Sequence, residues 1–270
     1  MLKIFRNSGK LAQSRCVDIR ISWRGYLFST LASILLAFAV FDEPLGLSRQ
    51  DLSPVVLIYG AFASGFGNSA WIIVGALAAL LLALVAWRLA VRRRPRAQAL
   101  ILAQSAVFFL ITIVGSGITV NLIKRVIGRA RPSEFIHHGI FSFEPFSFNA
   151  HFASFPSGHA TTVGAFFAAL SFFLPRYRLA FFIAAAWLAV GRVIVGAHYP
   201  SDVVAGLAYG GWFSYAVAIL FARRRLLFRL NDGGFPVPRP GLRILRFNLS
   251  RPASSRSVKT YLDLGAQRGH

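Results

Sequence analysis

The sequence is poor in cysteine and in charged side chains, and both shortages limit what the chain can be. Among 270 residues there is one cysteine, Cys16, so no internal disulfide and no cysteine-rich metal site can form. Charged residues make up 14% of the chain and hydrophobic residues 56%, which is far from the composition of a soluble globular domain. A disulfide-stapled secreted domain and an ordinary soluble domain are therefore both excluded.

Acidic residues are scarcer still, with 9 Asp and Glu against 30 Lys and Arg and a net charge of +21. In a soluble protein such an excess would suggest nucleic acid as the partner. Here the basic residues lie in blocks between long apolar runs, which is the pattern of a membrane protein. We therefore expect a membrane as the partner and no nucleic acid.

Six apolar runs can cross a bilayer, some of them only with their interfacial flanks. The runs are 26–41, 70–90, 99–123, 158–174, 179–195 and 201–221. They predict an all-α polytopic membrane protein with six transmembrane helices in a bundle, and a short external helix within 45–69. The predicted parts are a basic arm at 1–24, a six-helix membrane domain at 25–222, and a basic tail at 223–270 that is expected to be disordered.

The dense basic blocks all fall on one side of this six-span arrangement. The blocks are 1–24, 92–96, 176–178 and 223–225, and six of the nine acids fall on the opposite side. By the positive-inside rule the basic side is cytoplasmic, so we expect both termini in the cytoplasm. The arginine-dense loops and the single cysteine suit the inner membrane of a bacterium.

A set of polar residues from separate loops and helix ends falls on the outer face. The set is Lys124, Arg131, His159, Arg192, His198 and Asp202. A random scatter would have divided these residues between the two faces. Their convergence predicts one site at the outer ends of the helices.

The residue types in and around this set predict a phosphate-binding pocket. Ser157 and Gly158 open the fourth span, and a helix N-terminus with unpaired N–H groups and a glycine binds anions well. Lys124, Arg131 and Arg192 add fixed positive charge, and an arginine can grip two oxygens at once. Arg192 lies inside an apolar run, where a charge is a functional candidate by default.

The pocket also contains the nucleophile, carboxylate and acid that a phosphatase needs, in His198, Asp202 and His159. Asp202 lies one helical turn after His198. Its carboxylate can therefore accept from one ring nitrogen and leave the other free to attack. His159 could protonate the departing oxygen. Because the sequence places no second carboxylate or third histidine beside them, we expect no metal and no cofactor.

Each of these features has a plainer alternative when it is taken alone. The stretch that opens the fourth span could be an ordinary helix start. Lys124 and Arg131 could be interfacial anchors, and His198 with Asp202 could cap a turn. The phenylalanines between 135 and 155 are better explained by lipid or loop packing than by a specific lipid slot. None of these alternatives explains why the whole set lies on one face.

The spacing of these residues resembles the three-part signature of the type-2 phosphatidic acid phosphatase superfamily, which includes bacterial lipid phosphatases and vanadium haloperoxidases. The parts here are Lys124 with Arg131-Pro132, then Pro156-Ser157-Gly158-His159, then Arg192 with His198 and Asp202. With the six-span layout, the resemblance extends over residues 20–222.

The resemblance implies a helical-bundle core, a phosphohistidine intermediate and no metal. It makes His198 the nucleophile, Asp202 its orienting partner and His159 the acid. The phosphate would be held by Lys124, Arg131, Ser157, Gly158 and Arg192. The family often has serine before the third-part arginine, whereas this chain has Gly191, so we expect one hydrogen-bond donor to the phosphate to be missing.

These observations predict a membrane-embedded, metal-independent lipid phosphatase that acts on a phosphomonoester or a diphosphate. Candidate substrates are polyprenyl diphosphates, the phosphates of lipid A, phosphatidylglycerol phosphate and phosphatidic acid. The alternatives are a transporter or flippase that binds phospholipid head groups without hydrolysis, and an oxidase that binds vanadate. The His198–Asp202 pair favours hydrolysis over transport, because binding needs cations but no oriented nucleophile. The apolar spans disfavour the oxidase, and the oligomeric state is left open.

The basic blocks give a topology that reporter fusions can test. Fusions after Arg94, Arg178 and Arg225 should report the cytoplasm, because each follows a dense basic block. Fusions near Asp42, Gly139 and Tyr199 should report the outside. An outer location for the fusion at Arg94 would contradict the six-span arrangement.

Overall fold

The computed structural model describes residues 22–47, 52–240 and 242. Most of the predicted arm and the predicted tail from residue 243 onward lie outside these residues. The described part is almost entirely helical, as predicted. Its α-helices, labelled in chain order, are α1 (Trp23–Ala37), α2 (Glu43–Leu47), α3 (Pro54–Phe66), α4 (Ser69–Leu89), α5 (Arg93–Ile127), α6 (Phe135–His138), α7 (Gly158–Phe173), α8 (Arg178–Ile194) and α9 (Pro200–Arg223).

Five stretches of the described residues are long and apolar enough to cross a membrane: Trp23–Leu45, Pro54–Leu89, Arg93–Ile127, Pro175–Ile194 and Pro200–Arg223. The predicted fourth span corresponds to α7, which has 16 residues and is shorter than the roughly 20 residues that a helix needs to span a bilayer. The polytopic helical architecture is therefore confirmed, while the count of six spans stays a prediction.

Local sequence explains where several helices begin and end. Asn68 and Ser157 cap α4 and α7 with their side chains, and Pro200 occupies the first turn of α9, where its missing N–H is not needed. α5 ends at Gly128, which adopts φ 62°. A Cβ there would lie 1.7 Å from the carbonyl oxygen of Glu144, so glycine alone fits this turn.

The first helix continues further than predicted. The first predicted run ends at residue 41, but α1 passes through a π-helical turn at Phe38–Asp42 directly into α2. Asp42 in that turn is fully buried, whereas Glu43 is exposed. Single π-helical turns occur often at functional sites, and here the turn contains the one acid of this segment that faces the interior.

Helices α7 and α9 pack closely at the centre of the bundle because glycines line their contact. A Cβ at Gly210 would lie 2.2 Å from the Thr161 carbonyl oxygen, and a Cβ at Gly206 would lie 2.4 Å from that of Ser157. Small residues at helix contacts let the backbones approach, which is the usual packing mode inside membranes. This contact brings the N-terminal ends of α7 and α9 together.

The chain after α9 differs from the predicted disordered tail over the part that is described. Phe228–Leu230 and Pro236–Pro238 form a two-stranded antiparallel sheet. Phe228 is fully buried against Phe108, Phe172 and Phe173. The membrane domain therefore extends beyond its predicted end at 222, because this apolar hairpin completes one end of its core.

A helix occurs within 45–69, as expected, and it packs on the bundle. The Tyr59 hydroxyl of α3 donates to the Trp187 carbonyl oxygen of α8 at 3.0 Å. A Cβ at Gly60 would lie 2.5 Å from the Ile194 side chain. α3 therefore lies directly against the end of α8 that carries Arg192.

Candidate active site

The predicted site residues come together where α5, α7, α8 and α9 meet. Lys124 lies in the last turn of α5, and a Cβ at Gly158 in the first turn of α7 would lie 3.5 Å from its Nζ. The charges of Arg131 and Arg192 both act on Lys124. The structure thus collects residues from four separate segments at one end of the bundle.

Two helix N-termini open into this end of the bundle. Ser157 caps α7, its Oγ accepting from the N–H of Ala160 at 3.5 Å. Its own N–H donates to the carbonyl oxygen of Asp202 at 2.9 Å, which fixes the start of α7 against the first turn of α9. The partial positive charges of both helix ends therefore lie on the side where the three cations gather.

His198 lies between α8 and α9 with 2% of its surface exposed. Its N–H and that of Ala197 both donate to the carbonyl oxygen of Arg192, at 3.3 and 3.1 Å, so the histidine is fixed relative to this cation. Its Nδ1 lies 3.7 Å from Oδ2 of Asp202, which is too far for a hydrogen bond. Catalytic hydrogen bonds are often this long before substrate binds.

Burial lowers the pKa of His198 to about 4. The carboxylate of Asp202 opposes this shift, and the positive charges of Lys124 and Arg192 add to it. The imidazole is therefore neutral at pH 7, with a lone pair available on one nitrogen. Burial also lowers the pKa of Arg131, again opposed by Asp202.

The structure explains why this chain has Gly191 where serine was expected. A Cβ at Gly191 would lie 2.7 Å from the Ala63 Cβ and 3.0 Å from the Gly60 carbonyl oxygen, so α3 leaves no room for a side chain. The same packing brings Ser64 to Arg192, whose Nη1 donates to the serine Oγ at 2.5 Å. A hydroxyl is thus present beside Arg192, but it comes from α3, and no motif or spacing in the sequence indicates it.

A buried ion-pair network lies behind Asp202, and the spacing of the site motifs does not indicate it. Arg129 donates from Nη1 to Oδ1 of Asp202 at 2.6 Å and from Nη2 to Oδ2 of Asp42 at 2.8 Å. Asp42 is thus a second carboxylate behind the predicted site, where it binds Arg129 and Ser201. A clue was available: acids are scarce in this chain, so a buried arginine next to the predicted site needs one of them as its partner.

Residues 105–226 match the PAP2 superfamily. The lipid A 1-phosphatase of Rhizobium johnstonii is 48% identical over 217 residues, covering 80% of this chain and 88% of that protein. The lipid A 1-phosphatase of Rhizobium etli is also 48% identical over 217 residues, covering 80% of this chain and 93% of that protein. The chain belongs to the PAP2 superfamily.

A crystal structure of a PAP2-type phosphatidylglycerolphosphate phosphatase from Bacillus subtilis is also similar, with 16% identity and a TM-score of 0.49, covering 70% of this chain and 92% of that one. The two phosphatase relatives and the family match together show that this PAP2 protein is a membrane phosphatase, as predicted. It includes every residue predicted for the site, from Lys124 to Asp202. Asp42 and Ser64 lie outside the matched stretch.

Because α3 and α8 are in close contact, we expect a side chain at position 191 to disturb this PAP2 site. Gly191→Ser should impair binding although it introduces the serine often found in the family, because its Cβ would push Ala63 and Ser64 away from Arg192. We expect the KM for a nitrophenyl phosphate to rise by about 10-fold, equal to roughly 1.4 kcal/mol.

Gly117→Ser in α5 is the matched control, because a Cβ at Gly117 meets no atom within 4 Å. Both variants are purified in one detergent and compared by steady-state kinetics and thermal melts. An unchanged or lower KM for Gly191→Ser would contradict the packing argument.

Proposed function

We propose that this membrane lipid phosphatase removes the 1-phosphate of lipid A, or of a closely similar lipid, at the outer face of a bacterial inner membrane. The substrate is supported by relatives of that name that are 48% identical over 80% of the chain. The reaction is supported by one observation above all: a buried, neutral His198 lies among three cations and beside a carboxylate. The location is supported by the distribution of basic blocks described above.

In this proposal the phosphate binds between the cations and the two helix ends. Three cations hold its oxygens: Lys124, Arg131 and Arg192. They stabilise the negative charge on the phosphate oxygens in the transition state. Arginine suits two of these positions, because its planar guanidinium can donate two parallel hydrogen bonds to a phosphate. The N-terminus of α7 at Ser157 and Gly158 adds backbone N–H donors.

His198 is the proposed nucleophile. Its Nδ1 hydrogen faces Asp202, so Nε2 carries the lone pair that attacks phosphorus. A P–N bond forms, and the bond from phosphorus to the lipid oxygen breaks. His159 gives its proton to that oxygen as the lipid leaves. Water then attacks the phosphohistidine and gives a proton to His159, the P–N bond breaks, and phosphate leaves with the imidazole of His198 again neutral.

The chain's own residues are sufficient for this reaction in our proposal, without a metal or cofactor. The described part of the chain brings no three His, Cys, Asp or Glu side chains together as a metal site. The three cations supply the positive charge that a metal would otherwise provide. Family membership and the oriented His198 both favour hydrolysis over the transporter alternative.

Phosphate release from a panel of lipids tests the substrate. The purified protein should release phosphate fastest from lipid A, at position 1, and more slowly from phosphatidic acid, phosphatidylglycerol phosphate and a polyprenyl diphosphate. The activity should persist in a strong chelator, because no step requires a metal. Faster hydrolysis of another lipid would reject the proposed substrate, and activity that is lost in chelator and restored by a divalent cation would reject the metal-free reaction.

The proposed roles of the two histidines can be distinguished by assaying variants on two substrates with different leaving groups. A lipid alkoxide needs a proton from His159 as it leaves, whereas a nitrophenolate hardly does. His159→Ala should therefore lose most activity on the lipid but keep a substantial fraction on nitrophenyl phosphate. His198→Ala should be inactive on both substrates, and Asp202→Asn should be impaired on both.

Thermal melts in the same detergent serve as the folding control for these variants. The wild type and each variant are assayed side by side on both substrates. If His198→Ala kept the nitrophenyl activity while His159→Ala lost it, the two roles would be assigned the wrong way round.

A further inference from the structure

Asp202 is held from the side opposite His198 by a guanidinium that never reaches the phosphate pocket. Arg129 is 2% exposed, and both of its carboxylate partners, Asp42 and Asp202, are fully buried. Arg129 follows Gly128, the residue that ends α5 and turns the chain. Its guanidinium therefore points behind the site, whereas Arg131, two residues later, belongs to the set that surrounds the phosphate.

Asp42 also fixes the first turn of α9 directly. Its Oδ1 accepts from the N–H of Ser201 at 3.0 Å, and its Oδ2 accepts from the Ser201 hydroxyl at 2.5 Å. The same hydroxyl accepts from Nη1 of Arg129 at 2.7 Å. Because Ser201 immediately precedes Asp202, the position of the catalytic carboxylate depends on a residue of the first helical segment.

Aromatic rings fix the plane of the guanidinium. Its central carbon lies 4.4 Å from the centre of the Tyr199 ring and 5.1 Å from that of Phe38. Cation–π contacts of this kind strengthen when the groups are removed from water. The guanidinium donates from one terminal nitrogen to each carboxylate, in a planar arrangement that the compact ammonium group of a lysine does not reproduce.

These contacts leave Asp202 one orientation. Its Oδ1 is taken by Arg129, while its Oδ2 accepts from the Ser154 hydroxyl at 2.6 Å and from the Tyr199 N–H at 2.9 Å. Oδ2 thus stays on the side of His198. Because one guanidinium is shared by two carboxylates, the group retains one net negative charge next to the imidazole.

We propose that Asp42 and Arg129 are positioning residues for the phosphatase reaction, acting through Asp202. The inference rests on the proposed role of His198, which becomes positively charged when its nitrogen bonds to phosphorus. Arg129 alone would neutralise Asp202. Because the positive charge of Arg129 is shared with Asp42, it only partly offsets the charge of Asp202. Asp202 therefore keeps the negative charge that stabilises the imidazolium. Neither residue touches the phosphate.

Asp42→Asn tests this role, with Glu43→Gln as the matched control. The variant should lower kcat by about 10-fold or more, as misplacement of a catalytic group does, and leave KM unchanged, because the phosphate-binding cations are untouched. Glu43 is exposed and its variant should behave as the wild type. A wild-type kcat for Asp42→Asn, or a loss confined to KM, would overturn the inference.

A double-mutant cycle shows whether Asp42 acts through Asp202. In an Asp202→Asn background, the additional change Asp42→Asn should have little further effect on kcat, because its target has already been removed. If the two losses multiply as independent effects, Asp42 does not act through Asp202 and the proposal is wrong. Nitrophenyl phosphate and lipid should give the same result, since nucleophilic attack is common to both.

Asp42→Asn still leaves Arg129 paired with Asp202, so it buries no unpaired charge, and we expect its melting temperature to be near that of the wild type. The double variant Asp42→Asn/Arg129→Gln leaves Asp202 buried without a cation and should melt at a lower temperature. The kcat of each variant is therefore calculated per folded molecule. A wild-type kcat per folded molecule for Asp42→Asn would show that the network is only structural. An inactive wild type would instead count against the proposed function.

Discussion

The buried guanidinium of Arg129, held between Asp42 and Asp202, is the interaction on which the geometry of the site depends. It joins the end of the first helical segment, the loop after α5 and the start of α9, with partners 87 and 73 residues away in sequence. An unpaired charge in such an interior costs several kcal/mol. The three segments therefore cannot separate without leaving a buried charge unpaired, and Asp202 stays 3.7 Å from Nδ1 of His198.

The arginines Arg129 and Arg192 differ in the charge of their partners. The two terminal nitrogens of Arg129 each pair with a buried carboxylate. Arg192 donates to the neutral hydroxyl of Ser64, so its positive charge is not cancelled and can act on a phosphate. The scarcity of acids produces this difference, because the described carboxylates near the site are the ones that Arg129 occupies.

Much of the architecture could be predicted because a membrane imposes simple rules on sequence. Apolar runs must reach a minimum length, and basic blocks collect on one side. α4, α8 and α9 accordingly begin and end within two residues of the predicted runs. Errors occurred where packing overrides these rules: at the π-helical turn of Phe38–Asp42, and in the hairpin after α9, whose Phe228 fills the end of the core.

The sequence by itself determined the helical membrane fold, the family resemblance and the candidate site residues, because residue types at fixed spacings carry that information. The contacts of Asp42 with Ser201 and of Ser64 with Arg192 were decided only by the tertiary structure. They join residues that are 159 and 128 positions apart, and no local spacing encodes such pairs. They arise because close helix packing brings a buried charge to the polar groups that can satisfy it.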